Sequence, residues 1–153
     1  MTQVSASGLR LLIVGDGKMG RAIEQLARER GHHVVGVLGA EDNTAGGGIP
    51  AMASACDVAI EFTEPTAARA NVAACLAAGL PVVAGTTGWY DALPELEREV
   101  HGRGGALFWS PNFSLGVALV IEVARQAGMV FARQPQFDAV LVETHHRAKK
   151  DAP

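Results

Sequence analysis

Gly15, Gly17 and Gly20, in the run VGDGKMG, stand between an apolar stretch and one with helical periodicity. Glycines at that spacing, between a strand and a helix, lay a pyrophosphate on backbone amides. Gly15 serves the tight turn, Gly17 lets the main chain approach the anion, and Gly20 permits close helix–strand contact. The anion then rests on the free N–H groups at the helix start. A purely steric glycine turn is the alternative, and Lys18 reads as a solvated side chain near the phosphates. At the other end of the chain, five of the six residues in His145-His146-Arg147-Ala148-Lys149-Lys150 can carry positive charge in a protein of net charge -3. Lys and Arg attract an anion, and His delivers a proton near neutral pH. On a helix, His145 and Lys149 share a face at i,i+4, whereas an extended backbone separates them. A solvated tail and a nucleic-acid patch compete with this reading. Both weaken because the run follows directly on a strand-like segment and holds no aromatic residue. A loop that binds a small anion and acts on it fits better.

Other strand ends contribute polar groups. Thr63-Glu64-Pro65 and Gly85-Thr86-Thr87-Gly88 each follow an apolar run. Beyond the carboxyl ends of parallel strands they are placed for the nicotinamide half of a dinucleotide; Thr86 and Thr87 as plain turn residues is the alternative. Pro111-Asn112-Phe113-Ser114 holds the equivalent position after the fifth strand, with Ser114 as a candidate N-cap. A dinucleotide site of this type ends its second strand in an acid that takes the ribose hydroxyls. Here that strand ends Leu38-Gly39-Ala40, the nearest acids are Glu41 and Asp42, and no Arg stands there to hold a 2′-phosphate. The choice between NADH and NADPH stays open.

The elements that must position these groups alternate regularly. Leu9–Val14, His33–Leu38, Asp57–Thr63, Leu80–Ala84 and Ala106–Trp109 read as short strands. Met19–Arg30, Thr66–Ala78 and Asp91–Val100 read as helices, with Ile23, Leu26 and Ala27 on the apolar side of the first. Gly39–Pro50, with three consecutive glycines, reads as loop. This pattern predicts an α/β, Rossmann-like parallel sheet with helices on both faces over residues 1–111. Past Pro111 the character changes: Leu115–Val130 is one apolar helix and Phe137–Thr144 a β-branched run expected as a strand. Residues 112–153 are expected to be the first helix and strand of an α+β substrate-binding and oligomerisation domain, truncated in this chain. The alternative is that they pack on the first domain or on a partner chain.

Composition narrows the classes. Of 153 residues, 48% are hydrophobic and 19% charged, enough to bury a core and too little charge for a disordered chain. Thirteen Lys and Arg against sixteen Asp and Glu leave no broad basic field, so nucleic acid is not an expected partner. Cys56 and Cys75 sit among alanines and valines and read as buried thiols, with no metal site implied. No signal-peptide pattern opens the sequence and no apolar stretch is long enough to span a bilayer, so a cytoplasmic protein is expected.

Taken in order, Gly17-Lys18-Met19-Gly20, Glu61-Phe62-Thr63-Glu64-Pro65, Gly85-Thr86-Thr87-Gly88, the SPNFSLGV run from Ser110 and the ETHHRAKKDAP run from Glu143 resemble the 4-hydroxy-tetrahydrodipicolinate reductase family, long called dihydrodipicolinate reductase. The resemblance runs from about Leu11 to Pro153, and the final run joined to PNFSxGV is its most specific part. It implies NADH- or NADPH-dependent reduction of 4-hydroxy-tetrahydrodipicolinate to tetrahydrodipicolinate, with loss of water, in diaminopimelate–lysine biosynthesis. It implies His145 as proton donor, Lys149 as second acid and carboxylate partner, and His146 as substrate ligand. The cofactor would touch Gly15, Asp16, Gly17, Lys18, Met19 and Gly20, the loop Gly85, Thr86 and Thr87, and the backbone of Ser110, Pro111, Asn112 and Phe113. Full-length family members are generally homotetramers. Two departures stand out. The glycine turn is the shorter form, without the extra residue many members carry ahead of Met-Gly. The Ser-Gly-Thr that follows Asp-Ala-Pro in the family, and takes a substrate carboxylate there, is not in this sequence, so weak or absent turnover by this chain is expected. A non-catalytic nucleotide-binding relative and another two-domain NAD(P)-dependent dehydrogenase are the competing functions.

Overall fold

The computed structural model describes residues 8–142 and 144. The chain divides into two compact units, Met1–Pro111 and Asn112–Pro153.

In the first unit five parallel strands, β1 (Arg10–Val14), β2 (His33–Leu38), β3 (Val58–Glu61), β4 (Val82–Ala84) and β5 (Leu107–Trp109), form one sheet in the order β2-β1-β3-β4-β5. The helices are α1 (Lys18–Glu29), α2 (Ile49–Ala53), α3 (Pro65–Ala77) and α4 (Leu93–Arg103). The chain steps from β1 to β2 in one direction and afterwards crosses back over β1 to β3. Right-handed crossovers then require α1 on one face and the later helices on the other. The two cores show that division. Leu11, Ile13, Val34 and Ala27 cluster under α1. Leu12, Val14, Ala59, Val82 and Ala84 join residues of α2, α3 and α4 on the opposite face.

Alternation of side chains along each strand separates the two sets. α1 covers only the β1–β2 half of its face: Val58, Ile60 and Val83 remain half-buried there, and Phe108 is 62% exposed. Leu26, expected on the apolar side of α1, is likewise exposed. The helix ends follow backbone rules. Gly31 and Gly79, just past α1 and α3, have φ of 82° and 69°, and Gly104 caps α4 at φ 63°.

Gly39–Pro50 is not loop throughout. Thr44–Gly46 makes a 3₁₀ turn, and α2 begins inside the segment at Ile49. Gly46 supplies a φ of 80° against α3, Pro50 presets the first helical turn, and Ile49 is fully buried. The apolar anchor decides what the glycine run conceals.

In the second unit, α5 (Leu115–Phe131) starts at Ser114, whose Oγ accepts the Val117 N–H at 3.4 Å. None of its residues is buried. Phe137–Thr144, expected as a strand, pairs with no other segment among the described residues; a β-branched run becomes a strand only where a neighbour takes its backbone hydrogen bonds. No helix among the described residues is long and apolar enough to cross a membrane.

Candidate functional site

The sheet order reverses at β1, where the chain leaves toward β2 on one side and returns to β3 on the other. A crevice opens beyond the carboxyl ends of strands at such a point. Its first half, of about 320 Å³, is lined by Gly15, Asp16, Gly17, Leu38, Gly39, Ala40, Asn43, Phe62, Thr63, Glu64, Ala67 and Asn71. Its second half, of about 340 Å³, is lined by Gly17, Lys18, Met19, Phe62, Thr63, Pro65, Gly85, Thr86 and Thr87. Gly17, Phe62 and Thr63 belong to both.

Each glycine of the turn has a separate steric task. Gly15 adopts φ 113°, and a Cβ there would stand 2.1 Å from the Phe62 carbonyl oxygen. A Cβ on Gly20 would stand 1.7 Å from the Gly15 carbonyl oxygen, so the first turn of α1 lies directly on the loop. At Gly17 a Cβ would meet nothing within 4 Å. The backbone at Gly17 therefore faces open space, and no side chain caps α1. The first N–H groups of a twelve-residue helix are thus presented to the crevice with partial positive charge.

Beneath the crevice runs a buried polar chain. Glu61, fully buried at the end of β3, accepts through Oε1 from the Thr63 hydroxyl and from the Thr63 N–H at 3.2 Å. The same Thr63 N–H lies 2.7 Å from Thr86 Oγ1, and the Thr86 carbonyl accepts from Trp89 Nε1 at 2.7 Å. Asn71 of α3 donates to Thr63 Oγ1 at 3.3 Å and accepts from Asn43 Nδ2 at 2.8 Å; Asn43 Oδ1 in turn accepts the Gly48 N–H. Glu61 Oε2 has no partner among the described residues. The chain of hydrogen bonds joins the loops after β2, β3 and β4, which form the crevice walls. Cys75 is buried below it. Burial first, and the Glu61 charge second, push its thiol up to about 12.

Gly15, Asp16, Gly17, Lys18, Met19, Gly85, Thr86 and Thr87 thus meet in one crevice, with Gly20 packed underneath. Thr86 is buried and hydrogen-bonded, more than a turn residue. Ser110 and Pro111 follow β5 and line neither half, Asn112 and Phe113 belong to the second unit, and Glu41 and Asp42 are exposed outside both halves. His145, His146 and Lys149 lie outside the described residues. Sequence reasoning passed over Asn43 and Asn71, and quoted Phe62 only within a family motif without a role. A signal existed: Glu61 is an acid inside the apolar run that follows Asp57, and Asn71 interrupts an alanine-rich helix.

The parallel sheet, the glycine turn at its reversal point and the uncapped helix behind it define a Rossmann-like domain. The chain belongs to the dihydrodipicolinate reductase family, whose N-terminal model matches residues 9–113. It is 39% identical over 149 residues to the 4-hydroxy-tetrahydrodipicolinate reductase of Beutenbergia cavernae, covering 95% of this chain and 56% of that protein. It is 30% identical over 145 residues to that of Christiangramia forsetii, covering 95% and 59%. Over a shorter stretch of 106 residues it is 44% identical to that of Methanopyrus kandleri, covering 69% and 38%. The chain therefore spans less than two thirds of the length of these relatives.

Proposed function

We propose that the crevice binds NADH or NADPH and that the chain contributes the cofactor-binding part and the first substrate-binding residues of a 4-hydroxy-tetrahydrodipicolinate reductase. The observation that carries the reading is the open space at Gly17 beside an uncapped helix start, between two glycines that admit no Cβ. A pyrophosphate needs such a cradle: donors already aimed, and no side chain in the way. The residues present fit the cofactor on both sides, since the two halves of the crevice flank the turn and share Gly17. The half walled by Gly39 and Asn43 takes the adenosine, and the half walled by Lys18, Gly85 and Thr87 the nicotinamide.

Bound NAD(P)H supplies a hydride to the cyclic substrate. The chain's own groups do the remainder. Thr63, held by Glu61, donates its N–H to Thr86 Oγ1 and so ties together the loops after β3 and β4 that wall the nicotinamide half. Family membership, together with the motif from Glu143 onward, supports His145 as proton donor, Lys149 as second acid and carboxylate partner, and His146 as substrate ligand. Ser110, Pro111, Asn112 and Phe113 would add backbone contacts. The complete enzyme works as a cytoplasmic homotetramer on a small dicarboxylate; residues 112–153 open its second domain, and the wholly unburied apolar helix α5 supports self-association there.

The test is a fluorescence titration of the chain with each reduced dinucleotide, followed by turnover on 4-hydroxy-tetrahydrodipicolinate with and without His145→Ala and Lys149→Ala. Saturable binding retained in both variants, with any turnover lost, is the expected outcome. Absence of saturable binding of either dinucleotide overturns the reading.

A further inference from the structure

The loop after β2 lacks the acid that normally takes ribose hydroxyls: Gly39 stands there, and Glu41 and Asp42 line no part of the crevice. The space a side chain at Gly39 would enter is occupied from another element. A Cβ on Gly39 would meet the carboxyl group of Asp16 at 3.1 Å from Cγ and Oδ2 and 3.3 Å from Oδ1. Asp16 lies inside the glycine turn, and with Gly39, Ala40 and Asn43 it walls the first half of the crevice. Among the described residues no cation forms an ion pair with this carboxylate. The nearby guanidinium of Arg21 is turned to main chain, its Nε donating to the Asp16 carbonyl oxygen at 2.9 Å, and Arg21 lines neither half.

We propose that Asp16 is the specificity-determining residue of the dinucleotide site, accepting the adenosine-ribose hydroxyls in place of an acid on β2 and excluding a 2′-phosphate. The assignment rests on the dinucleotide reading of the crevice. Its chemistry is acceptor chemistry: an ionised carboxylate takes two hydroxyl donors well and repels a phosphate in the same volume. A carboxylate from the loop and one from the end of β2 compete for one place, and Gly39 leaves that place to the loop.

The experiment is titration of the 153-residue chain with NADH and with NADPH, followed by cofactor fluorescence, for the parent and three variants. The parent binds NADH at least about tenfold more tightly than NADPH, the worth of charge-assisted hydrogen bonds. Asp16→Asn and Asp16→Ala bring the ratio close to one without lowering the thermal midpoint, since Asp16 is exposed. Asp16→Ala combined with Gly39→Asp moves the carboxylate to the end of β2 and restores the NADH preference. Saturable binding of both cofactors with a ratio that Asp16→Asn leaves unchanged, or a parent that prefers NADPH, overturns the assignment while leaving the dinucleotide site intact. Absence of binding of either cofactor by the parent overturns the site itself.

Discussion

The ring of Phe62 lies against the α-carbon of Gly85, so close that a Cβ on Gly85 would stand 2.1 Å from Phe62 Cζ. The main-chain oxygen of Phe62 closes on Gly15 at the same notional distance. One residue at the end of β3 therefore sets the separation of the two loops that flank the crevice. Gly85→Ala is expected to displace the ring into the shared part of the crevice. The variant should lose about 1–3 kcal/mol of stability from overpacking and bind NADH about tenfold more weakly. Urea denaturation and fluorescence titration check the two effects separately.

The glycine turn offers a contrast between two neighbouring substitutions. Gly20→Ala forces a Cβ to 1.7 Å from the Gly15 carbonyl, against main chain that cannot yield cheaply. It is expected to destabilise by about 3 kcal/mol. Gly17→Ala places its methyl in open space and should leave the thermal midpoint nearly unchanged while weakening dinucleotide binding. Equal loss of stability in both variants would contradict the separate tasks assigned to these glycines.

Asn71 is the hub between Asn43 and Thr63. Asn71→Leu keeps the branching at Cγ but leaves the buried Asn43 amide without its acceptor. An expected loss of about 2 kcal/mol follows from the unpaired buried donor. The measurement is the urea midpoint at constant slope, and an unchanged midpoint would mean that water replaces the lost acceptor.

Both cysteines are free and buried, and burial raises each thiol, Cys75 to about 12. Only the thiolate attacks a disulfide reagent. In the folded chain neither thiol should react at about pH 8, and both should react once denaturant opens the core. Rapid reaction of Cys75 in the folded protein would show that the α3 layer opens.

At the opposite end of the strands, Arg10 clamps Asp57 across β1 and β3 at 2.7 Å. The Arg10 side-chain hydrogen bond holds the Asp57 carboxyl below its ordinary 3.8. A carboxyl whose pKa is lower folded than unfolded stabilises above the unfolded value, and the contribution disappears as pH falls through the folded one. The pair therefore adds stability at neutral pH that fades below about pH 4. Arg10→Gln should flatten that acid limb in a series of thermal midpoints against pH; the effect is small, because both side chains are partly exposed.

The order of strands and helices was legible because parallel strands buried on both faces read as apolar runs, and glycines end the helices between them. α2 was not legible. Five residues carry too little periodicity to announce a helix, and only the burial of Ile49 against the β2 and α3 layer decides it. The strand expected at Phe137–Thr144 shows the converse: among the described residues no neighbour takes its backbone hydrogen bonds, and propensity alone makes no ladder.

At the site the local part was in the sequence and the long-range part was not. The glycine turn was legible from spacing and context, since Gly15, Gly17 and Gly20 between an apolar run and a helical period are the pattern that brings backbone close to an anion at a helix start. That Asp16 stands where an acid of β2 was sought, that the Thr63 N–H reaches Thr86 Oγ1, and that Phe62 gauges the crevice were decided by the tertiary structure. Each depends on parallel strand registers that place residues twenty or more positions apart side by side, and pairings of that range are set by the packing of the whole sheet.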